Sequence, residues 1–522
     1  MPIVQQGAIN TTAILVPDLY VQIVPPQNLI LNGVPTNVIG VVGTSSWGPV
    51  NQPVLVGTMA DYVTSLGPVI ARKFDMGTQV ATAVQQGAQS FRCVRVTDGT
   101  DTSAQAAVSG TTVTLTALYT GSLGNSIGAI LQAGSRLGTW RLTVTQPGLQ
   151  PEVFDNIGGT AGSFWAALAA AVNDGQGGQR GRSQLIVVNP GGATATPAPF
   201  SLTLGSSVPG TDGAVSVTAA RLIGVDGPSR LGMYALRGQG CSIGMLADSD
   251  DWMCWTDQAE FGLDEGIYMI VTGPSGQAIQ DGINQKNQAA IDNYAVKLLF
   301  GDWLWWSDQV NNVIRLVSPQ GFAAGRLANL SPEQSGLNKP IYGIIGSERT
   351  GDPGSGQAAT YSYADLGALL GAGLDVICRP QPGGTFWGLR GGHNTSSVAG
   401  TNGDNYTRLT NYIAATLSAG MGGYVGQVVN TGLFRNIRAT LLSFLQNMLN
   451  QGLLGTTTTD GGLPFSVICD WTNNPQTRVA LGYVQADVQI QYQSINEKFI
   501  VNLEGGQSVQ VSTQLLPTNG VS

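Results

Sequence analysis

The chain has a single histidine, His393, within FWGLRGGHN (386–394). Histidine is the side chain best suited to acid–base work near neutral pH. Upstream, GCSIG (240–244) fits the pattern G-x-S-x-G, so Ser242, Asp375 and His393 stand in one of the chain orders used by serine hydrolases. In such a triad His393 would take the proton of the Ser242 hydroxyl, and Asp375 would orient the imidazole. The motif also requires a strand before the serine and a helix after it. Here LGMYALRGQ, before the serine, reads as a helix, and CSIGMLAD itself reads as the strand. The context is inverted, and a Gly- and Ser-rich chain produces such pentapeptides by chance. A serine hydrolase built on Ser242 is a distant alternative, and the expectation is a protein that is not an enzyme.

Other chemistries fare worse. G-x-x-x-x-G-K-[ST] is absent, and GQGGQRG (175–181) follows a helix where a dinucleotide loop must follow a strand. ADSDD (247–251) lacks the glycine and the terminal glutamate of a calcium loop. One histidine and five scattered cysteines, Cys93, Cys241, Cys254, Cys378 and Cys469, make no zinc pattern. No metal and no cofactor are expected. The odd cysteine count rules out complete pairing within the chain, so buried free thiols are expected, with a bridge between copies as the alternative. The aromatic run DWLWWSD (302–308) reads as core or interface packing.

Charge narrows the partners. The net charge is −8, and the lysines are sparse: Lys73, Lys286, Lys297, Lys339 and Lys498. Without a basic cluster, nucleic-acid binding is not expected. No apolar run reaches the ~18 residues of a membrane span, so direct membrane insertion is not expected. MPIVQQGAIN lacks the basic and apolar regions of a secretory signal, which points to assembly in a cytoplasm. Charged residues make up only 11% of the chain, while 42% is apolar and 72 residues are glycine. That balance suits a subunit that buries much of its surface against copies of itself.

At 522 residues the chain is too long for one ordinary domain. Residues 1–24 read as an extended arm, because AILVPDLYVQIVPP is β-prone but broken by Pro17, Pro25 and Pro26. Residues 25–97 read as the first part of an α/β core, with TNVIGVVGTSS as strand and turn, VLVGTMADYVTSLG as strand then helix, and FRCVRV as a buried strand. Residues 98–227 read as an inserted, mostly-β protruding domain. Its strands are TTVTLTALY, SIGAILQ, WRLTVTQ, QLIVVN and FSLTL, interrupted by the helix SFWAALAAAV. Residues 228–382 resume the core, with a helix expected from Gln277 to Leu299 carrying Ile283, Ile291, Tyr294 and Leu298. Residues 383–498 hold two helices. One has Asp404 as N-cap and the stripe Leu409, Ile413 and Leu417; the other has the face Phe434, Ile437, Leu441, Leu445 and Met448 and a stop at Gly452. Residues 499–522 close the chain as a β-prone arm. The fold class is therefore α/β (α+β) and multidomain: a helix-covered mixed-sheet core, an inserted mostly-β domain and extended β arms at both termini.

Several segments, in order, resemble the contractile tail sheath proteins of bacteriophages over nearly the whole chain. PPQNLILNGVPTNVIGVVGTSSWGPVNQPVLVGTMADYVTSLG is similar to that family's N-terminal pattern, with Gly43, Gly48 and Pro49 on its turn. LYTGSLGNSIGAIL looks like the G-x-x-G-N stretch of the protruding domain. VSPQGFAAGRLANLSPEQSGLNKPIYGI resembles a loop with an Ala-Gly-Arg core, matched by Ala324, Gly325 and Arg326. FWGLRGGHN resembles the W-G-x-R-T motif through Trp387, Gly388 and Arg390, with Gly391 where threonine is usual. Arg408, FLQNMLNQGLL and EKFIVNL complete the series.

The resemblance implies a structural subunit that polymerises as stacked sixfold rings around a tail tube and contracts to drive the tube through the host envelope. Its partners would be copies of itself, the tail tube protein, and baseplate and neck or terminator proteins at the ends; its place would be the virion tail. The sheath of a phage-derived device, such as a tail-like bacteriocin, is the alternative. Terminal arms would add strands to neighbouring subunits, with Ile14, Leu15, Tyr20 and Val21 in the first arm and Phe499, Val501, Val509 and Val511 in the last. Arg435 and Arg438, three residues apart on one helix, would face the tube. Trp387 would anchor packing and Arg390 would make a buried or interface hydrogen-bond fork. His393 lies beyond the matched residues and is expected to be dispensable.

Overall fold

The computed structural model describes residues 3–4, 21–22, 31, 33–351, 360–455 and 462–503. At the centre is a six-stranded sheet. Its strand order is Val296–Leu299, Tyr268–Thr272, Ile243–Leu246, Ile39–Gly43, Phe91–Arg95 and Pro53–Val56. Its first five strands run parallel, and the edge strand Pro53–Val56 is antiparallel to its neighbour. Parallel strands covered on both faces read as unbroken apolar runs. IGVVG, IGML and YMIVT are accordingly buried at every position. One face packs on Trp255, Phe261, Leu236 and Leu369; the other packs on Tyr62, Val80, Phe322 and Leu327.

Two of the helices on the sheet start on side-chain caps. Met59–Leu66 begins with a capping box between Thr58 and Asp61, and Met76–Gln85 begins with the Asp75 carboxylate on the Thr78 amide. Helix Met76–Gln85 packs closely on helix Gln320–Ala328. A Cβ on Gly325 would lie 2.5 Å from the Cα of Ala83. Ala324, Gly325 and Arg326 therefore belong to a helix, which corrects the loop expected there. Small residues fit that spot because the two backbones nearly touch.

A second correction concerns residues 277–299. The helix covers only Ile279–Ala289, Ala290 takes a left-handed conformation at φ 51, and Val296–Leu299 is a buried strand of the central sheet. The apolar spacing of Ile291, Tyr294 and Leu298 had suggested one continuous helix across that break. DWLWWSD forms the middle strand of a small antiparallel sheet, Leu304–Asp308 between Val313–Val317 and Ile344–Ser347. Leu304 and Trp306 pack into the core of the body.

Between Asp98 and Thr218 the chain builds a second core from two antiparallel sheets and the helix Gly162–Asn173. Phe154, Phe164, Trp165, Leu142 and Leu168 fill it. All five strands read from the sequence there are present, joined by Gln105–Ala107 and Glu152–Ile157. Arg95, fully buried, ties this unit to the central sheet by donating to the carbonyls of Gly48 and Thr120, at 2.8 and 2.7 Å.

The C-terminal third packs helices Asp404–Met421 and Thr431–Asn450 with an antiparallel strand pair, Phe465–Ile468 and Asp487–Ile490. Leu409, Phe434, Ile437, Leu441, Leu445 and Met448 are buried there as their spacing required, and Leu417 is half-buried. Asn430 caps the second helix, and Gly452, at φ +73, follows its end. All five cysteines are free and buried. Among the described residues, no helix is long and apolar enough to cross a membrane.

Candidate assembly surfaces

The three residues with hydrolase order do not form a triad. Ser242 directly precedes the strand Ile243–Leu246, and its hydroxyl donates to the carbonyl of Val38 at 3.1 Å. His393 Nε2 lies 2.6 Å from Glu497 Oε1, and Asp375 pairs with Lys297. Each member is committed to a different partner. Among the described residues, no group of three His, Cys, Asp or Glu side chains could hold a metal ion.

Asp375 instead organises the FWGLRGG segment. One carboxylate oxygen accepts from the amides of Val376 and Gly391, at 2.8 and 2.7 Å, and the other accepts from Gly392 at 2.9 Å. Lys297 Nζ donates to the same carboxylate at 2.6 Å, to Asp404 Oδ1 at 3.0 Å and to the carbonyl of His393 at 3.1 Å. The Tyr268 hydroxyl donates to Asp404 at 2.5 Å. All of these side chains are fully buried or nearly so. Burial opposes charge on Asp375, but Lys297 and the amide donors outweigh it and hold the carboxyl below its usual range. Burial likewise opposes charge on Lys297, and the two carboxylates raise its pKa nonetheless.

Two further expectations change here. Asp404 is the first residue of its helix rather than the cap; Gly403 occupies the cap position and no side chain caps the helix. The Asp404 carboxylate is spent on Lys297 and Tyr268. Arg390 makes no buried fork: its side chain is half-buried and has no hydrogen bond or ion pair among the described residues. A Cβ at position 391 would lie 2.7 Å from Leu370 Cδ2, a side-chain end that can shift, and 3.0 Å from the held Asp375 Oδ1. The remaining motif residues serve packing and turns. Trp387 packs half-buried on the body and accepts Ile341 N at 2.8 Å, and Gly388 pairs with Cys378. Gly43 ends its strand; Gly48 sits at φ +97, where a Cβ would press on Ser65 O at 2.7 Å, and Pro49 follows. Buried Arg408 donates to the carbonyls of Leu330 and Ser331, and burial lowers its pKa to about 10.

Sequence reasoning missed Lys297 and Tyr268. The available signal was a lysine inside the apolar run AVKLLF, because a buried ammonium demands a counter-charge.

The end of the described chain looks different. Phe499, Ile500, Val501 and Leu503 are 81%, 80%, 67% and 90% exposed. They form no strand within the subunit, so Phe499 and Val501 do not close the chain's own sheets. The pair Phe465–Ile468 and Asp487–Ile490 has no third strand among the described residues. An open edge is a template for an added strand. Val21 lies in a two-residue strand, Val21–Gln22, parallel to Ile3–Val4. Ile14, Leu15, Tyr20, Val509 and Val511 lie outside the described residues. Arg435 and Arg438 are exposed on helix Thr431–Asn450 and make no ion pair within 4.0 Å among the described residues.

Comparison with solved structures points one way. A sheath tail protein from Desulfitobacterium hafniense matches with a TM-score of 0.56 at 14% identity, over 86% of this chain and 93% of that one. A sheath tail protein from Listeria innocua gives 0.58 at 14% identity, over 85% and 90%. The sheath complex of an extracellular contractile injection system, PVC, in its contracted state gives 0.55 at 11% identity, over 95% and 98%. This chain has the sheath-protein fold, over nearly its full length and nearly the full length of those chains. No protein-family model matches the sequence, and no curated protein does either.

Proposed function

We propose that this chain is the structural subunit of a contractile sheath. It polymerises as stacked sixfold rings around an inner tube and contracts to drive that tube through an envelope. The observation that carries this reading is the exposed apolar segment Phe499–Leu503, leaving a body with the sheath fold. A soluble monomer has little reason to present four such side chains within five residues. A neighbouring copy with an open strand edge supplies the partner.

In this reading each arm adds a strand to a neighbouring subunit. Ladder hydrogen bonds contribute about 0.5–1.5 kcal/mol each, and engagement of both arms multiplies the effect through effective concentration. The arms act as hinges, so subunits slide and rotate without parting. The extended lattice is kinetically trapped, and its release at the baseplate lets subunits repack. The energy is stored at assembly, so no nucleotide is consumed. The inserted unit, residues 98–227, protrudes from the lattice. Arg435 and Arg438 face the tube, and their exposed guanidinium groups suit carboxylates on it.

Deleting residues 1–20 tests the arm mechanism: the expected product is a folded monomer that does not polymerise. Normal tubes from the deletion would rule the mechanism out. A phage tail and a phage-derived device use the same subunit mechanics; neighbouring genes for capsid and terminase would separate them.

A further inference from the structure

His393 sits where the C-terminal arm leaves the body. Before it, the chain end is held by several bonds. Gln491 N donates to Pro464 O at 2.8 Å, Gln493 Nε2 donates to the carbonyls of Gly452 and Leu454, and Asn405 Nδ2 donates to Gln493 O at 3.0 Å. The Tyr492 ring also packs on Tyr406, and its hydroxyl meets Thr410. After Gln493 one bond remains among the described residues: His393 Nε2 to Glu497 Oε1 at 2.6 Å, with the imidazole donating to the carboxylate. From Lys498 to Leu503 no residue makes a hydrogen bond or ion pair among the described residues, and the apolar side chains are exposed.

The other end of this tie is rigid. The carbonyl of His393 accepts from Lys297, the amides of Gly391 and Gly392 donate to Asp375, and His393 bridges to Gly403 just before helix Asp404–Met421. The imidazole therefore projects from a loop fixed to the central sheet, and it holds a residue two positions before Phe499.

From this geometry we infer that His393 is a positioning residue for the C-terminal arm. By gripping Glu497 it sets the point and direction at which Phe499–Leu503 departs. The inference rests on the arm reading of those residues. A held root lowers the conformational entropy that the arm loses on docking to another copy. Arg390, Lys339 and Lys498 line the same groove as Glu497, so either partner of the tie is to be removed in turn.

The test uses the full chain carrying Ile500→Cys with a nitroxide label, since the five native cysteines are buried. In unassembled protein, H393A and E497A, each of which removes one partner of the bond, should each make the label more mobile. The double variant should add little to either single one, and H393Q, which keeps a donor, should stay close to the parent. In unlabelled protein the critical concentration for assembly should rise about three- to tenfold in H393A and E497A, the factor expected for one hydrogen bond. Unchanged mobility in H393A, or changed mobility with an unchanged critical concentration, would overturn the inference. Failure of the parent chain itself to assemble would instead count against the proposed function.

Discussion

Lys297 Nζ stands between Asp375 and Asp404, 2.6 Å from one carboxylate and 3.0 Å from the other. Lys297 lies on an outer strand of the central sheet, Asp375 lies beside the FWGLRGG segment, and Asp404 begins the C-terminal helix pair. One buried ammonium thus joins three parts of the fold that are far apart in sequence.

Removing that ammonium leaves two buried carboxylates facing each other. K297M should cost about 3–5 kcal/mol, read as an earlier urea transition of the full chain. A cost below about 1 kcal/mol would mean that the three parts are held by packing alone.

Two further buried carboxyls give a pH signature. Burial pushes Asp75 up to about 7 and Asp248 up to about 6 from the ordinary 3.8. A carboxyl raised in this way binds a proton in the folded chain and not in the unfolded one. Stability from these two groups therefore rises as pH falls from about 7 toward 4. D75N removes the larger contribution, and an amide oxygen can still accept from Thr78 and Ile70 in place of the carboxylate. Thermal unfolding at pH 8 should find D75N at least as stable as the parent, with a smaller gain on moving to pH 5.5. Parallel pH curves for the two proteins would refute the assignment.

The contact between helices Met76–Gln85 and Gln320–Ala328 has no room for a side chain at Gly325. G325A should force the helices apart and cost about 1–3 kcal/mol. G367A, where nothing lies within 4 Å of the added carbon, serves as the control and should be neutral or slightly stabilising. Equal midpoints for both variants in chemical unfolding would contradict the close approach.

Phe499, Ile500, Val501 and Leu503 are largely exposed in a single copy. Replacing all four with serine should leave monomer stability within about 0.5 kcal/mol and abolish polymerisation, checked by thermal unfolding and by sedimentation. A destabilised monomer would place these residues in the subunit's own core.

The sequence made the parallel core legible because buried strands are continuous apolar runs. The inserted unit was legible through alternation of polar and apolar residues. The region 277–299 was misread because Ile291, Tyr294 and Leu298 continue a helical spacing by accident, and nothing in the local sequence announces Ala290 as a left-handed stop. That misreading hid Lys297 inside a helix, where a lysine needs no counter-charge. The tie between His393 and Glu497 joins residues 104 positions apart, and local pattern carries no trace of it. Gly325 was seen as a motif residue, but its reason, the backbone of Ala83, is tertiary.

The account stands or falls on whether this chain builds a lattice by itself. Negative-stain microscopy of the purified full-length protein, concentrated in the absence of any other component, tests this most directly. The account predicts sixfold rings or transversely striated tubes that disappear when residues 1–20 are deleted. Compact single particles at every concentration would contradict it.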